Sequence, residues 1–579
     1  MSGPIASKRS TKNRYIQTIV QLCCQQCDLF LTPEKDLTTN CSPEALKNFI
    51  EQFYHHVSLD FIELNIRQKG IEALVERTLK AWQLLQHRSV GQDTTLVMAG
   101  DHTQTILMAL NKDGPFLVDT LTLCLKTHGY HPHVIIHPVF TIARDQGGYL
   151  KKLLDHKSQD KKLKTSAESL IYVTIPQPLD AAQQQILQID LQNAFRQVVL
   201  VAADFQPMRA IVQTVLEHYQ HLANKEASSV IQFLEWLNNN HFVYLGYRYC
   251  PFENKAGGAV AYGLCRDPAF LTEIQANRVP VCDFQIGGDS GSKQSLLRLL
   301  KHSKVSGIHR DLRLESMQIL QFDKQGQTRG YHEFFGIYSR HFFTHPPLQI
   351  PVLKDRLLKV LDAFGLSPDW HDGRVILDIL NSIPVDEILY FSAKDLLDLS
   401  QKLFEYPNHL HVFSRFDSFH RSVTLLIYVP SARYHSEVIQ NLRNVVSGFL
   451  GGKLIRHYLL IDDFYFVRLG VVVLLPEKFL FKPLDLVGLE SQLNELSWSW
   501  SEQFVQLLGN EEGRDCFPLD YQHAFTPQQA LKDWQDCCKI SQDRSLVLQM
   551  MPLTSGLAFK IFHKDSPLTL SQLMPIFDG

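Results

Sequence analysis

Thr105-Ile106-Leu107-Met108-Ala109-Leu110-Asn111-Lys112-Asp113-Gly114-Pro115-Phe116 is the stretch from which the fold is read. An apolar run meets a corner at which Gly114 is free to take a positive φ and Pro115 presets the first turn of a helix. The spacing predicts a helix opening at Phe116, with Phe116, Leu117, Thr120, Leu121, Cys124 and Leu125 on one face and Gly129 as its stop. A β-branched, strand-like pattern resumes from His133 to Ile142. Met98 to Asp145 therefore reads as one strand–turn–helix–strand unit, of a regulatory rather than a catalytic kind.

Outward from this unit, helix and strand patterns alternate in blocks, and the expected class is α+β. Residues 1–100 read as mainly helical: Ser42-Pro43-Glu44-Ala45 is a helix entry, followed by Leu46, Phe49, Ile50 and Phe53 at amphipathic spacing, with Leu64 to Gln86 continuing. Residues 101–225 form the first domain, with Leu170–Ile175 as a later strand, Ala181 to Val198 as its second helix and polar Lys157 to Lys164 as a surface loop. In 226–345, the helix Ser229–Asn238 precedes strand-like runs at Phe242–Tyr249, Met317–Phe322 and Tyr331–Ser339, a mostly antiparallel β-rich domain. Residues 346–405 revert to a helical linker, with entries at Pro351 and at Ser392-Ala393-Lys394-Asp395.

Residues 406–495 read as a second domain of the first kind. A hairpin of His411–Phe416 and Val423–Tyr428 turns at Asp417-Ser418-Phe419-His420, and a helix from Ser436 to Leu450 stops at Gly451-Gly452. Strands follow at Lys453–Ile461 and Tyr465–Leu475. A helical linker over 496–545, led by Leu489 to Leu508, precedes the strand pair Leu546–Met551 and Ala558–His563, which opens a third such unit in 546–579.

Composition removes several functions. With 579 residues, 45% apolar and 20% charged, the chain can bury several cores, about three to five domains' worth. A formal net charge of −3 offers no global field for nucleic acid, and the basic start Lys8, Arg9, Lys12, Arg14 reads as a solvated tail. Gln17, Gln21, Gln25 and Gln26 interrupt the apolar stripe that a signal peptide needs, and no run reaches the roughly 18–20 apolar residues of a membrane span. Eleven cysteines without a repeating spacing fit reduced thiols, so a cytoplasmic chain is expected.

Motifs for chemistry are sparse. A dinucleotide fold needs a strand running into G-x-G-x-x-G, since a side chain there holds the pyrophosphate off the helix N-terminus, and no such run occurs. Gly287-Gly288-Asp289-Ser290-Gly291-Ser292-Lys293 is the nearest imitation of a phosphate loop; Ser292 stands where glycine belongs, so it reads as a plain loop. Gly147-Gly148, Gly257-Gly258 and Gly451-Gly452 are weaker. Cys24-Gln25-Gln26-Cys27 and Cys537-Cys538 read as ordinary thiols, without a second pair at zinc-finger distance. His131, His133 and His137 could share a strand face and reach a metal, but no carboxylate completes a set before Asp145; a polar strand face is preferred. His55-His56 and His409-Leu410-His411 are weaker still. Asp386-Glu387 and Asp462-Asp463 read as turn residues, and no G-x-S-x-G elbow exists. No catalytic, cofactor-binding or metal-ligating residue is expected.

A family resemblance enters on specific blocks. Lys112-Asp113-Gly114-Pro115-Phe116-Leu117-Val118-Asp119, Ile136-His137-Pro138-Val139 and Arg144-Asp145-Gln146-Gly147 resemble the N-terminal part of the large bacterial NAD-specific glutamate dehydrogenases. So do Phe233-Leu234-Glu235-Trp236-Leu237, Asn240 to Arg248, Phe334 to Tyr338, Ile350 to Leu353, His371-Asp372-Gly373, Ile383 to Glu387 and Tyr428 to Tyr434, in family order over most of 100–579. The resemblance implies ACT-like, ferredoxin-type βαββαβ modules in the two α/β domains and at the start of the third, with the Rossmann and glutamate-binding core lying beyond this chain. It implies an enzyme family that converts L-glutamate, NAD and water to 2-oxoglutarate, ammonium and NADH, of which this chain would be a truncated or split regulatory and oligomerisation segment, inactive alone and without cofactor. Expected partners are an amino-acid effector, a separately encoded catalytic half and further copies of the chain, with no nucleic acid and no membrane. Asp113, Gly114, Pro115 and Phe116 are the candidate effector loop, where helix amides could accept a carboxylate or Asp113 could simply cap the helix; Arg415 and Arg421 are candidates in the second module. The alternative is a free-standing amino-acid-sensing or scaffold protein of the ACT type.

Overall fold

The computed structural model describes residues 4–30, 42–88, 94–100, 102–154, 164–222, 225–252, 260–276, 296–417, 421–434, 436–461, 466–476, 484–513, 516–540, 546–553, 556–564 and 569–577. The chain divides into two compact units, Met1–Ala393 and Lys394–Gly579. The expected Lys157 to Lys164 loop (apart from Lys164), the Gly257-Gly258 and Gly287–Lys293 loops, the tip Ser418-Phe419-His420 and Asp462-Asp463 lie outside the described residues.

The first unit opens with α1 (Pro4–Phe30), α2 (Pro43–His55) and α3 (Leu59–Gln86). Ser42 caps α2 as read, accepting from Ala45 N at 3.1 Å. A sheet follows from β1 (Thr94–Gly100) and β2 (Thr105–Lys112), then α4 (Leu117–Thr127), β3 (Val134–Ile136), β4 (Val139–Arg144), β5 (Leu150–Leu154), β6 (Ser166–Ile175) and α5 (Ala181–Gln220). The strand order is β1-β2-β6-β4-β5, with β3 also on β6 and every pair antiparallel. Both faces are covered, because successive residues point to opposite sides. Ile106, Met108 and Leu110 pack with Phe49, Phe53, Leu79 and Trp82 of the leading helices, whereas Leu107 and Ala109 pack with Leu121 of α4 and Leu187, Leu191 and Phe195 of α5.

Then come α6 (Lys225–Trp236), β7 (Phe242–Pro251), β8 (Ala261–Gly263), α7 (Pro268–Ala276), β9 (Leu297–Val305), β10 (Arg313–Phe322) and β11 (Thr328–Tyr338), an antiparallel sheet of order β8-β7-β11-β10-β9. Its Leu245, Phe335 and Ile337 enter the same core as α5, so one long helix serves two sheets. Helices α8 (Pro351–Phe364), α9 (His371–Asn381) and α10 (Val385–Ile388) close the unit.

The second unit runs through α11 (Ala393–Glu405), β12 (His411–Phe416), β13 (Ser422–Pro430), α12 (Ser436–Leu450), β14 (Lys453–Leu460), β15 (Phe466–Leu474) and α13 (Leu486–Ser497). Its antiparallel sheet has order β12-β13-β15-β14, with Leu442 and Val446 of α12 and Leu489 and Leu493 of α13 in one core. Short helices α14 (Trp500–Leu508), α15 (Leu519–Ala524) and α16 (Pro527–Cys537) follow, then the hairpin of β16 (Leu546–Leu553) and β17 (Gly556–His563), and α17 (Leu570–Phe577).

The α+β class stands, with a difference of connectivity. In the expected βαββαβ order the last strand pairs beside the first; here the strand at that place comes first in the chain, giving ββαββα. In the first unit β1 takes it and β5 adds an extra edge strand; in the second β12 takes it. The sheet and the helix face are those of the expected module, opened at another point of the ring. The order β16, β17, α17 repeats the opening of this pattern.

Local differences have local causes. The helix starts at Leu117 rather than Phe116, and Phe116 is its N-cap in the left-handed region (φ 70°) without a side-chain cap bond, so Asp113 does not cap it. His137-Pro138 splits the run from His133 into β3 and β4, since proline donates no ladder bond. β1 lies within the stretch read as helical. The helix expected to end at Val198 continues to Gln220, through Pro207. It is also long and apolar enough to cross a membrane by length and composition, which amends the reading that no window approaches this; Leu187, Leu191, Phe195, Val198 and Val201 are instead buried in the shared core.

Arginines in the resembling blocks hold carboxylates that are buried at Glu168 and Glu333 and half-buried at Glu502. Arg144 grips Glu168 through Nε at 2.8 Å and Nη2 at 2.6 Å, Arg248 grips Glu333 at 2.7 and 2.6 Å, and Arg433 grips Glu502 at 2.9 and 2.6 Å. For Glu502, burial pushes the pKa up, but bonds from Ser499 and Arg433 outweigh it and the net shift is downward. A depressed carboxylate contributes stability above its unfolded pKa and loses it as pH falls through the folded one. Arg433→Ala is therefore expected to cost the second unit about 2 kcal/mol near neutral pH, and much less near pH ~3. Urea unfolding at both pH values measures it, and an equal loss at both would contradict the assignment.

Candidate functional site

The corner from β2 to α4 faces a cleft of about 420 Å³ within the first unit, lined by Asp119 of α4, Asn240 before β7, His309 and Arg310 of the β9–β10 loop, and Ser339, Arg340 and His341 after β11. Phe116 packs behind one of these lining residues, its ring 4.6 Å from that of His309. His309 is held twice by α4: Nδ1 lies 2.6 Å from Asp119 Oδ2, and its backbone N–H donates to Thr120 Oγ1 at 3.1 Å. Arg310 donates to Tyr338 O at 3.3 Å and lies over the Phe343 ring. Burial, then the nearby Arg340, lower the pKa of the Arg310 guanidinium, and Asp119 opposes this. Two clustered guanidiniums and one carboxylate thus face a common space.

The backbone is strained here. Among the described residues, the non-glycine positions with positive φ are Phe116 (70°), Asn240 (64°) and His309 (65°), and all three lie at this cleft. Such conformations cost on the order of 1–3 kcal/mol each and persist where the surroundings over-determine them, commonly at ligand sites.

Beside the cleft, His341 and His345 gather with His241. His241 is 3% exposed, stacks on Trp236 at 3.8 Å between centroids, and has Nδ1 2.6 Å from Trp236 O. Burial lowers its pKa, the bond to Trp236 O opposes this, and the neighbouring His341 and His345 lower it further.

The structure brings only part of the expected set together. Phe116 reaches the cleft through His309. Asp113 donates its N–H to Ala167 O at 2.9 Å, and a side chain at Gly114 would meet open space, so neither lines it. Arg415 and Arg421 belong to the second unit. Arg415 Nη1 donates to Phe416 O, and the Arg421 N–H donates to Asp417 Oδ1. His131 and His133 are exposed, and His137 bonds Ser169 at 2.5 Å. Cys23 is buried and Cys24 half-buried, with the Cys27 side chain outside the description; Cys537 and Cys538 are exposed. Asp386 and Glu387, read as turn residues, hold the buried Lys301 ammonium at 2.9 and 2.8 Å. Reading by residue missed His309, Arg310 and Arg340, which carry no motif. His341 and His345 did carry one, a four-residue spacing.

Two ββαββα sheets with their helices on one face, the first ending in a strained, arginine-lined corner, define an α+β protein of the ACT type. The glutamate dehydrogenase ACT1 domain model matches residues 49–191, the glutamate dehydrogenase helical motif 1 matches 350–406 and the glutamate dehydrogenase ACT2 domain matches 411–501. The NAD-specific glutamate dehydrogenase of Pseudomonas aeruginosa is 27% identical over 565 residues, an alignment covering 92% of this chain and 34% of that protein. That of Halomonas elongata is 24% identical with the same coverage, and that of Mycobacterium tuberculosis is 22% identical over 86% of this chain and 32% of its own length. The chain belongs to the large NAD-specific glutamate dehydrogenase family, and it spans about a third of the length of the curated relatives it matches.

Proposed function

We propose that this chain is the regulatory and oligomerisation segment of a cytoplasmic NAD-dependent glutamate dehydrogenase, and that oxidation of L-glutamate with NAD belongs to a catalytic half outside these 579 residues. The observation that carries the regulatory reading is the cleft. Arg310 and Arg340 match the carboxylate of an α-amino acid, Asp119 matches its ammonium, and the His309 ring, backed by Phe116, supplies part of the wall. The loop Asp113-Gly114-Pro115-Phe116 would act on this cleft through Phe116, and Arg415 and Arg421 would serve the second module. Oligomerisation is supported by β14, an edge strand of the second unit's sheet with Leu459, Leu460 and the following Ile461 exposed.

Calorimetric titration of the full chain with a panel of α-amino acids tests the reading. One amino acid is expected to bind, with at least tenfold weaker affinity in Arg340→Ala. An affinity indifferent to that change, or tight NAD binding with glutamate turnover, contradicts the proposal. A free-standing amino-acid sensor is the second reading; effector binding that has no influence on any catalytic subunit would favour it.

A further inference from the structure

The histidine group beside the cleft has features that an ordinary set of core histidines lacks. Ligand atoms of His241, His341 and His345 all lie within 4.8 Å of one another. A carbonyl oxygen can only accept, so the 2.6 Å contact between His241 Nδ1 and Trp236 O places the proton on Nδ1 and leaves the lone pair on Nε2. The same holds for His345, whose Nδ1 lies 2.8 Å from His341 O. His241 Nε2 is buried and has no hydrogen-bond partner, an arrangement that is costly unless a donor or a metal ion meets that lone pair. Backbone carbonyls that fix the far nitrogen of each imidazole are how metal-binding histidines are oriented.

The local fold explains the convergence. Asn240, in the left-handed region, turns the chain so that His241 points inward against Trp236. Phe342, fully buried and stacked on Tyr338 at 3.9 Å, anchors the single turn that sets His341 and His345 four residues apart. His341 is exposed and also lines the cleft, so its ring has room to swing. Ligands at tetrahedral zinc distances sit about 3.3 Å apart, so the three rings would draw together on binding.

We propose that His241, His341 and His345 form a binding site for one borderline divalent metal ion of the zinc class, with three imidazole nitrogens as ligands and the fourth position filled by water or by an anion from the cleft. Carboxylates are absent from the set, which disfavours calcium and magnesium. The site stands apart from the amino-acid reading, since it needs neither Arg310 nor Arg340.

The test uses the full 579-residue chain, stripped with a chelator and titrated with Co²⁺ and then Zn²⁺. One Co²⁺ per chain is expected, with the visible absorption of a four- or five-coordinate ion, displaced by Zn²⁺ and accompanied by quenching of Trp236 fluorescence. His345→Ala should weaken binding by about tenfold or more and remove the band. His341→Gln, at an exposed position, should do the same with the fold intact. Trp236→Phe should abolish the quenching, and Cys537→Ser with Cys538→Ser should leave binding unchanged. No saturable Co²⁺ binding, or binding unaltered in His341→Gln and His345→Ala, overturns the site. Loss of amino-acid binding in Arg340→Ala with metal binding retained would separate the two proposals.

Discussion

Arg144→Ala is expected to destabilise the first unit by about 3–5 kcal/mol, the range for removing one partner from a buried ion pair. The Glu168 side chain is fully buried and Arg144 nearly so, and the pair is bidentate. Arg144 also donates to Leu85 O at 3.1 Å and Gly148 O at 2.9 Å, which ties the end of α3 to the β4–β5 turn. Alanine would leave those carbonyls with one donor fewer and Glu168 with Arg88, at 3.1 Å, as its remaining cation. Denaturation followed by near-UV dichroism, with hydrogen exchange in α3 as the local probe, measures the loss. Adding Glu168→Gln should recover part of it, because the stranded charge goes with it. A loss under about 1 kcal/mol would place the pair among solvent-screened bridges.

Lys301 gives the second large effect. Its ammonium is buried among Asp386, Glu387 and, at 3.8 Å, Glu315. Burial outweighs the opposing Lys301 ammonium and Tyr390 hydroxyl at Glu315, and the nearby Asp386 adds to it, so its pKa is pushed up to about 8. A carboxyl raised in the folded state stabilises below its unfolded pKa of 4.5, and that contribution is lost as pH rises towards 8. The slope between those values amounts to at most roughly 5 kcal/mol. Glu315→Gln should flatten it. Lys301→Met should extend it to higher pH and cost about 3–5 kcal/mol near neutral pH. Unfolding curves at several pH values between those limits decide, and an unchanged slope in Glu315→Gln would show that another group titrates there.

Much of the architecture was legible because it rests on local periodicity. Ile106 to Leu110 alternates between two apolar faces, Leu117, Leu121 and Leu125 mark one side of α4, and Ser42-Pro43 starts a helix where capping chemistry puts it. The far end of α5 was not legible. The expected helix ended at Val198, whereas α5, buried against two sheets, continues through Pro207 to Gln220. The order of strands within a sheet was equally hidden, since pairing β1 beside β2 at the start of the chain or a late strand at its end leaves the same apolar alternation.

The candidate site was the least legible part. Its strongest signal, the Asp113–Phe116 corner, supplied one ring behind the cleft; the guanidiniums arrive from the loops around β10 and β11, about two hundred residues later in the chain. The positive φ of His309 has no glycine to announce it, being imposed by Asp119 and Thr120 across the unit.

Taken alone, the amino-acid order determined many of the helices and strands, that the class is α+β, and which family the blocks resemble, because each depends on neighbours within a few residues or on the blocks themselves. Tertiary structure decided the ββαββα connectivity, the sharing of α5 between two sheets and the meeting of His241 with His341 and His345. Those outcomes depend on contacts between residues far apart in the chain, and such contacts leave no periodic trace.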